Sequence, residues 1–304
     1  MKLRIATRNS QLALWQTDFV IAQLQKLYPD LVCEKVELLT QGDKNLSTSL
    51  AKIGGKGLFL KELEQALLQN QADIAVHSLK DVPAQLTEGL ELITFLAREN
   101  PSDVLLSQEG VRLMQLPKGA IVGTSSLRRQ CQLKSLRPDL NFEWLRGNVP
   151  TRVKKLQNKE YDAIVLAYAG LKRLNLQEQI SETLTTCLPA VGQGVIVIQS
   201  RLNDKNMKKL CAPLDDLNTR ICITAERAMH AYLGGSCQTP IAGLATLQDN
   251  QILLQGLVGA PDGSHMIRGN IKGAKESAAQ LGEQLAQQLI DQGADKILNA
   301  CKTI

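Results

Sequence analysis

The sequence predicts an α/β chain: two similar domains with mostly parallel sheets, then a small α+β third domain with an antiparallel three-stranded sheet. Three observations support this. The chain has 304 residues, more than one hydrophobic core usually organises. A strand–helix–strand–helix–strand plan occurs twice in its first two-thirds. The last third changes to short strands separated by turn signals.

The elements follow in order. Leu3–Thr7 is a short apolar strand, and Ser10 is placed to cap the next helix. That helix carries Leu12, Trp15, Phe19, Val20 and Leu24, close to the helical period. Cys33–Leu39 is a second strand, Thr40–Gly57 a polar loop, Leu58–Leu68 a helix and Asp73–His77 a third strand. The second copy runs through strand Ala120–Gly123, a helix to about Leu136, strand Asn141–Leu145 and the loop Arg146–Pro150. Helix Thr151–Asn158 and strand Asp162–Ala167 complete it. In open sheets of this plan, ligands bind outside the carboxyl ends of the strands. Attention therefore falls on Thr7–Ser10, Thr40–Gly57, His77–Pro83, Thr124–Arg129, Arg146–Arg152 and Ala167–Arg173.

Gly194–Gln199 is a further strand, and Leu217–Leu233 a helix stopped by Gly234-Gly235. Ile241–Leu247, Gln251–Val258 and His265–Ile271 form a meander, with turns at Asp249-Asn250 and Pro261-Asp262-Gly263. Glu276–Gln292 is a last amphipathic helix. The expected domains are 1–98 with 194–213, then 99–193, then 214–304, joined by short hinges.

Composition narrows the function. No apolar run approaches the roughly 20 residues of a membrane span. The first residues lead directly into a strand with no secretion signal, so a cytosolic location is expected. Seven scattered cysteines without a Cys-x-x-Cys pair argue for free thiols. Three dispersed histidines argue against a metal site. The net charge is only +5, but residues 120–175 hold eleven Lys/Arg against four Asp/Glu. That field attracts anions. Aromatic residues are only 3% of the chain, too few for the stacking platforms of single-strand binders, so small polyanions are favoured over nucleic acid.

Three groups of residues bear chemistry. Arg8, Arg128, Arg129, Arg146, Arg152 and Arg173 all fall in strand-end loops or the helical turns beside them. Any one could be a plain surface residue, but six gathered at sheet ends suit bidentate carboxylate binding. Asp81, in His77-Ser78-Leu79-Lys80-Asp81-Val82-Pro83, would be a lone carboxylate beside a basic cleft, able to hold a cation or relay a proton. A structural turn or an arginine pair fits the same spacing. Cys237 lies in a glycine-rich stretch, Gly234-Gly235-Ser236-Cys237-Gln238, with no base next to it in sequence. Gly54-Gly55-Lys56-Gly57 lacks the spacing and hydroxyl of a phosphate-binding P-loop.

Together these segments resemble the porphobilinogen deaminase family along nearly the whole chain. Among ten ordered matches are IATRNSQLALWQ (5–16), ADIAVHSLKDVP (72–83), VGTSSLRRQCQL (122–133), LRGNVPTR (145–152) and GGSCQTPI (234–241). The resemblance implies two domains like those of periplasmic binding proteins and a third with a cofactor-bearing cysteine. Cys237 matches that cysteine and would carry a dipyrromethane through a thioether, which accounts for the missing base. The implied reaction joins four porphobilinogen molecules stepwise through azafulvenes, losing ammonia each time, and water then releases hydroxymethylbilane. Asp81 matches the catalytic acid. The six arginines, with Ser10, Lys80, Thr124 and Ser126, match groups that bind acetate and propionate side chains. The Thr40–Gly57 loop, with Lys52 and Lys56, would cover the site. Pro150 and Gln199 depart from the common pattern: Pro150 would stiffen the loop before Arg152, and Gln199 replaces an acid. The implied protein is a cytosolic monomer with no metal, nucleic-acid or membrane partner. The rival readings are a non-catalytic anion-binding protein of similar fold and a nucleic-acid binder.

Overall fold

The computed structural model describes residues 2–40, 60–236 and 239–301. It divides into two compact units, Met1–Glu99 with Gly194–Arg220, and Asn100–Gln193 with Ile221–Ile304. Lys52, Lys56, all of the Thr40–Gly57 loop beyond Thr40, and Cys237 lie outside the described residues. No helix among the described residues is long and apolar enough to cross a membrane.

The first unit contains β1 (Lys2–Arg8), β2 (Val32–Leu38), β3 (Ile74–Ser78), β4 (Leu90–Phe95) and the later strand β10 (Ile196–Arg201). Its helices are α1 (Gln11–Leu27), α2 (Lys61–Leu68) and α6 (Lys205–Cys211). The sheet order is β2-β1-β3-β10-β4. β1 runs parallel to both neighbours, whereas β10 is antiparallel to β3 and β4. Leu3 and Ile5 of β1 are fully buried against Val20 and Leu24 of α1, each worth about 1.5–3 kcal/mol of burial. Ser10 caps α1 as expected, its Oγ accepting from the Ala13 N–H at 3.4 Å. β4 escaped the sequence reading, and the late strand starts at Ile196 instead of Gly194. Gly194 has φ +91° and packs against the Glu99 carbonyl so closely that a side chain would collide with it.

The second unit repeats the plan with β5 (Asp103–Ser107), β6 (Ile121–Gly123), β7 (Asn141–Glu143), β8 (Ala163–Ala167) and β9 (Glu182–Thr183), in the order β7-β6-β8-β5-β9. Its helices are α3 (Leu127–Leu136), α4 (Val149–Gln157) and α5 (Tyr168–Arg173). Again three strands are parallel, and the inserted strand, here β5, is antiparallel to its neighbours. One expectation changes. Pro150 lies in the first turn of α4, where no N–H is needed, and Asn148 caps that helix by accepting from Thr151 N–H at 3.0 Å. Pro150 therefore starts a helix and does not stiffen a loop.

The same unit holds the third sheet, an antiparallel β11 (Ile241–Gln248), β12 (Gln251–Gly259) and β13 (Met266–Ala274). Helices α7 (Leu217–Tyr232), α8 (Ala278–Asp291) and α9 (Ala294–Cys301) supply its cover. Met229, Leu254, Leu285 and Leu289 form its fully buried centre. Cys131 of α3 packs with Ala242 and Leu257 of this sheet.

Candidate functional site

In the first unit, β1 and β3 end side by side, because they pair in parallel. Their ends bring Arg8, Ser10, His77, Ser78 and Asp81 to one cleft, which Gln16 of α1 also lines, over Leu12 and Leu60. Lys80 and Asp81 share the single 3-10 turn Leu79–Asp81 that follows β3. Asp81 is half-buried, and among the described residues no ion pair or side-chain hydrogen bond takes up its carboxylate. Gln16 Nε2 donates to Ser78 Oγ at 2.8 Å and steadies the approach to that turn.

Behind this cleft runs a buried polar chain. Thr87 Oγ1 and Gln199 Nε2 donate to the two oxygens of Glu64, at 2.7 and 3.0 Å. Gln199 therefore turns its Oε1 toward His77 Nε2, at 3.0 Å. A carboxylate only accepts, so the chain's polarity makes His77 the donor and fixes the Nε2–H tautomer. Burial pulls the His77 pKa down to about 4, opposed by the Gln199 hydrogen bond and reinforced by the charge of Arg8. At neutral pH His77 adds no charge to the cleft. An uncharged Gln199 is thus a working member of the chain, despite its departure from the family pattern.

The second unit uses its arginines differently. Arg128 and Arg129 begin α3 and are 4% and 6% exposed, around the fully buried Asp103 at the head of β5. Arg128 Nη1 reaches Asp103 Oδ2 at 2.5 Å, and Nη2 reaches Oδ1 at 3.2 Å. Arg129 approaches Oδ1 through Nε at 2.9 Å and Nη2 at 2.8 Å. Gln193 Nε2 also donates to Oδ1, at 2.9 Å. The carbonyls of Leu188 and Val165 accept from Arg128 and Arg129, at 2.7 and 2.8 Å. Burial alone would raise the Asp103 carboxyl, but the two guanidinium charges and the hydrogen bonds hold it below the ordinary carboxylate range.

The other expected residues surround the strand ends of this unit. Thr124 is buried just after β6, and its Oγ1 accepts from Ser126 N–H at 3.2 Å. Ser126 stands at the cap of α3 with its hydroxyl not used for capping. Arg146 lies in the connection from β7 to α4, and Arg152 in the first turn of α4. Arg152 Nε donates to the Gly147 carbonyl at 2.7 Å, and burial lowers the pKa of Arg146. Arg173 is buried at the end of α5.

Two features escaped sequence reading. Asp103 carries no motif; its only signal is an acid heading the apolar run Val104-Leu105-Leu106, and a fully buried acid requires partners. The second is His230 on α7. Gly235 N–H donates to the His230 carbonyl at 2.8 Å, and a Cβ on Gly235 would collide with the imidazole. Ser236 N–H and carbonyl both bond Thr239 Oγ1, at 2.9 and 2.7 Å. Burial and the Arg227 charge take the His230 pKa down to about 4, against a hydrogen bond with the Ser236 backbone. The residues leading to Cys237 thus rest on a neutral ring that no local spacing revealed.

Among the described residues no group of three or more His, Cys, Asp or Glu side chains is placed to hold a metal ion. A family model described as porphobilinogen deaminase, dipyromethane cofactor binding domain, matches residues 3–209. A second, porphobilinogen deaminase, C-terminal domain, matches residues 220–291. Among solved structures, the VFT2 domain of BvgS from Bordetella pertussis is similar at 15% identity and TM-score 0.46, covering 75% of this chain and 92% of that one. A putative methionine-binding lipoprotein from Bacillus subtilis is similar at 14% identity and TM-score 0.43, with 70% and 89% covered.

Proposed function

Since the chain belongs to the porphobilinogen deaminase family, we propose that it joins four porphobilinogen molecules head to tail, with loss of ammonia, into hydroxymethylbilane. Family membership makes it a transferase of tetrapyrrole biosynthesis whose cofactor is dipyrromethane. In our reading that cofactor is held by a thioether to Cys237, and the protein works as a cytosolic monomer on this small substrate alone. Its functional domains are 1–98 with 194–213, 99–193, and 214–304.

The observation that carries the reading is the Asp81 carboxylate, unspent in a cleft beside Arg8. A pyrrole that gains or loses a leaving group passes through a cation on its ring nitrogen. A fixed anion lowers the energy of that cation, and its free oxygens accept and return the proton. Arg8, Ser10 and Lys80 lie close enough in the fold to fix substrate carboxylates around this acid.

The residues of the second unit suit the cofactor. Dipyrromethane carries acetate and propionate groups, and one buried carboxylate stands against two guanidiniums at Asp103, Arg128 and Arg129. Arg146, Arg152, Arg173, Thr124 and Ser126 would add donors to further carboxylates. When bound, the dipyrromethane supplies the pyrrole carbon from which the chain grows. Lys52 and Lys56 would face the growing chain.

The intact mass of the denatured protein tests the assignment, compared with Cys237→Ala. An excess of two linked pyrrole units in the parent, absent from the variant, is expected, together with conversion of porphobilinogen to hydroxymethylbilane. A parent that stays at bare polypeptide mass after incubation with porphobilinogen would reject it.

A further inference from the structure

We propose that Asp103 is a positioning residue that sets the charge of the arginine pair: it holds both guanidiniums and leaves them one positive charge, to be met by one carboxylate of the ligand. The inference rests on the proposed function and deepens it, because it states how much charge this part of the site offers.

Charge counting comes first. Two guanidiniums and one carboxylate leave a surplus of +1 in a buried cluster. The other ionisable group acting on Arg129 is the Cys187 thiol. Burial pushes its pKa up to about 11, so it contributes no charge at neutral pH. A buried charge without a counter-charge is costly, and the cluster is stabilised by any anion that reaches it.

Donor counting agrees. A guanidinium carries five N–H groups. Arg128 directs three of its N–H groups to Asp103 and Leu188. Arg129 directs two to Asp103 and Val165, and its Nη2 makes a further ion-pair contact with Asp103. Each arginine therefore keeps at least two N–H groups that no described residue takes up. Asp103 fixes the planes of both guanidiniums, and Gln193 fixes Asp103, so the unspent groups keep one orientation. A carboxylate has the charge and the paired acceptors to use them.

A purely structural triad would behave differently under mutation. In Arg129→Gln, Asp103 fully neutralises Arg128, the surplus falls to zero, and the covalent pyrrole content of the soluble protein should drop about tenfold. The double variant Asp103→Asn/Arg129→Gln restores the surplus to +1, and its content should recover about fivefold over the single variant. If Asp103 served the fold alone, removing it would add damage to damage. A double variant that is no better loaded than Arg129→Gln, or is not recovered in soluble form, would overturn the proposal.

The same proteins, each also carrying Cys237→Ala so that no cofactor fills the cluster, are melted in rising concentrations of glutarate, a simple dicarboxylate. Cys237→Ala alone should rise in melting temperature, its combination with Arg129→Gln should not, and its combination with the double variant should rise again. This separates the two ideas. A parent of bare mass together with this glutarate pattern would reject the enzymatic reading and keep the charge rule. A Cys237→Ala protein indifferent to glutarate would overturn the charge rule, whether or not the parent carries the cofactor.

Discussion

Asp81 and Asp103 are both aspartates beside arginines at the strand ends of an α/β sheet, yet the fold treats them in opposite ways. Asp103 is fully buried, and its two oxygens are taken up by Arg128, Arg129 and Gln193. Asp81 is half-buried in the Arg8 cleft, and no described side chain uses its oxygens. Lone pairs already engaged cannot be offered to a ligand without breaking something. Spent oxygens therefore mark an acid that organises the protein, and unspent oxygens in a cleft mark one kept for chemistry. Proximity to arginine does not separate the two roles.

The largest test of that contrast is Asp81→Asn. Shape and size are kept while the charge and the proton-carrying oxygen are lost. Turnover of porphobilinogen should fall about a thousandfold, with melting temperature and covalent mass unchanged. Steady-state kinetics on the loaded protein measure it. A fall of less than about tenfold would remove Asp81 from the chemistry.

Next in size is the response to acid, where each unit carries a neutral histidine, buried in the first and half-buried in the second. His77 and His230 have ordinary values of 6.5, and both are held down to about 4 in the fold. Between those values the unfolded chain binds protons that the folded chain refuses. Stability is therefore full above about pH 6.5 and is lost as pH falls toward 4. From pH 7 to pH 5 each histidine should cost about 2 kcal/mol of stability, read from denaturant midpoints across pH. His230→Gln should flatten the part of the profile that belongs to the second unit. An unchanged slope would mean that His230 is protonated without penalty.

Much of the fold was legible because it is local. The alternation of apolar strands with amphipathic helices located β1, α1, β3, β6 and β8, and the Ser10 cap and the three-stranded meander emerged as expected. Strands β4, β5 and β9 were missed, because they stand outside the repeated strand–helix plan that located the others. The site divides along the same line. Arginines at strand ends were visible, since strand ends can be read from local pattern. Their use was not, because Asp103 lies 25 residues from Arg128 and 90 from Gln193. His230 was hidden for a related reason: one helical turn and a reversal carry Gly235 back over its ring.

The smallest effects come from two of the side-chain caps, Ser10 and Asn148, and they sharpen the comparison of units. Asn148 Oδ1 accepts from Thr151 N–H at 3.0 Å and from Thr151 Oγ1 at 2.7 Å. Ser10 Oγ accepts from Ala13 N–H at a long 3.4 Å while lining the cleft with Arg8 and Asp81. Asn148→Ala should therefore cost about 1 kcal/mol of stability and leave KM alone. Ser10→Ala should cost less than about 0.5 kcal/mol, because the bond it loses is close to the distance at which hydrogen bonding fades. Its KM for porphobilinogen should rise about threefold if the hydroxyl is reserved for a substrate carboxylate. Melting curves and KM on the same two variants decide the matter. A Ser10→Ala protein with the stability loss of Asn148→Ala and an unchanged KM would make Ser10 a cap and nothing more.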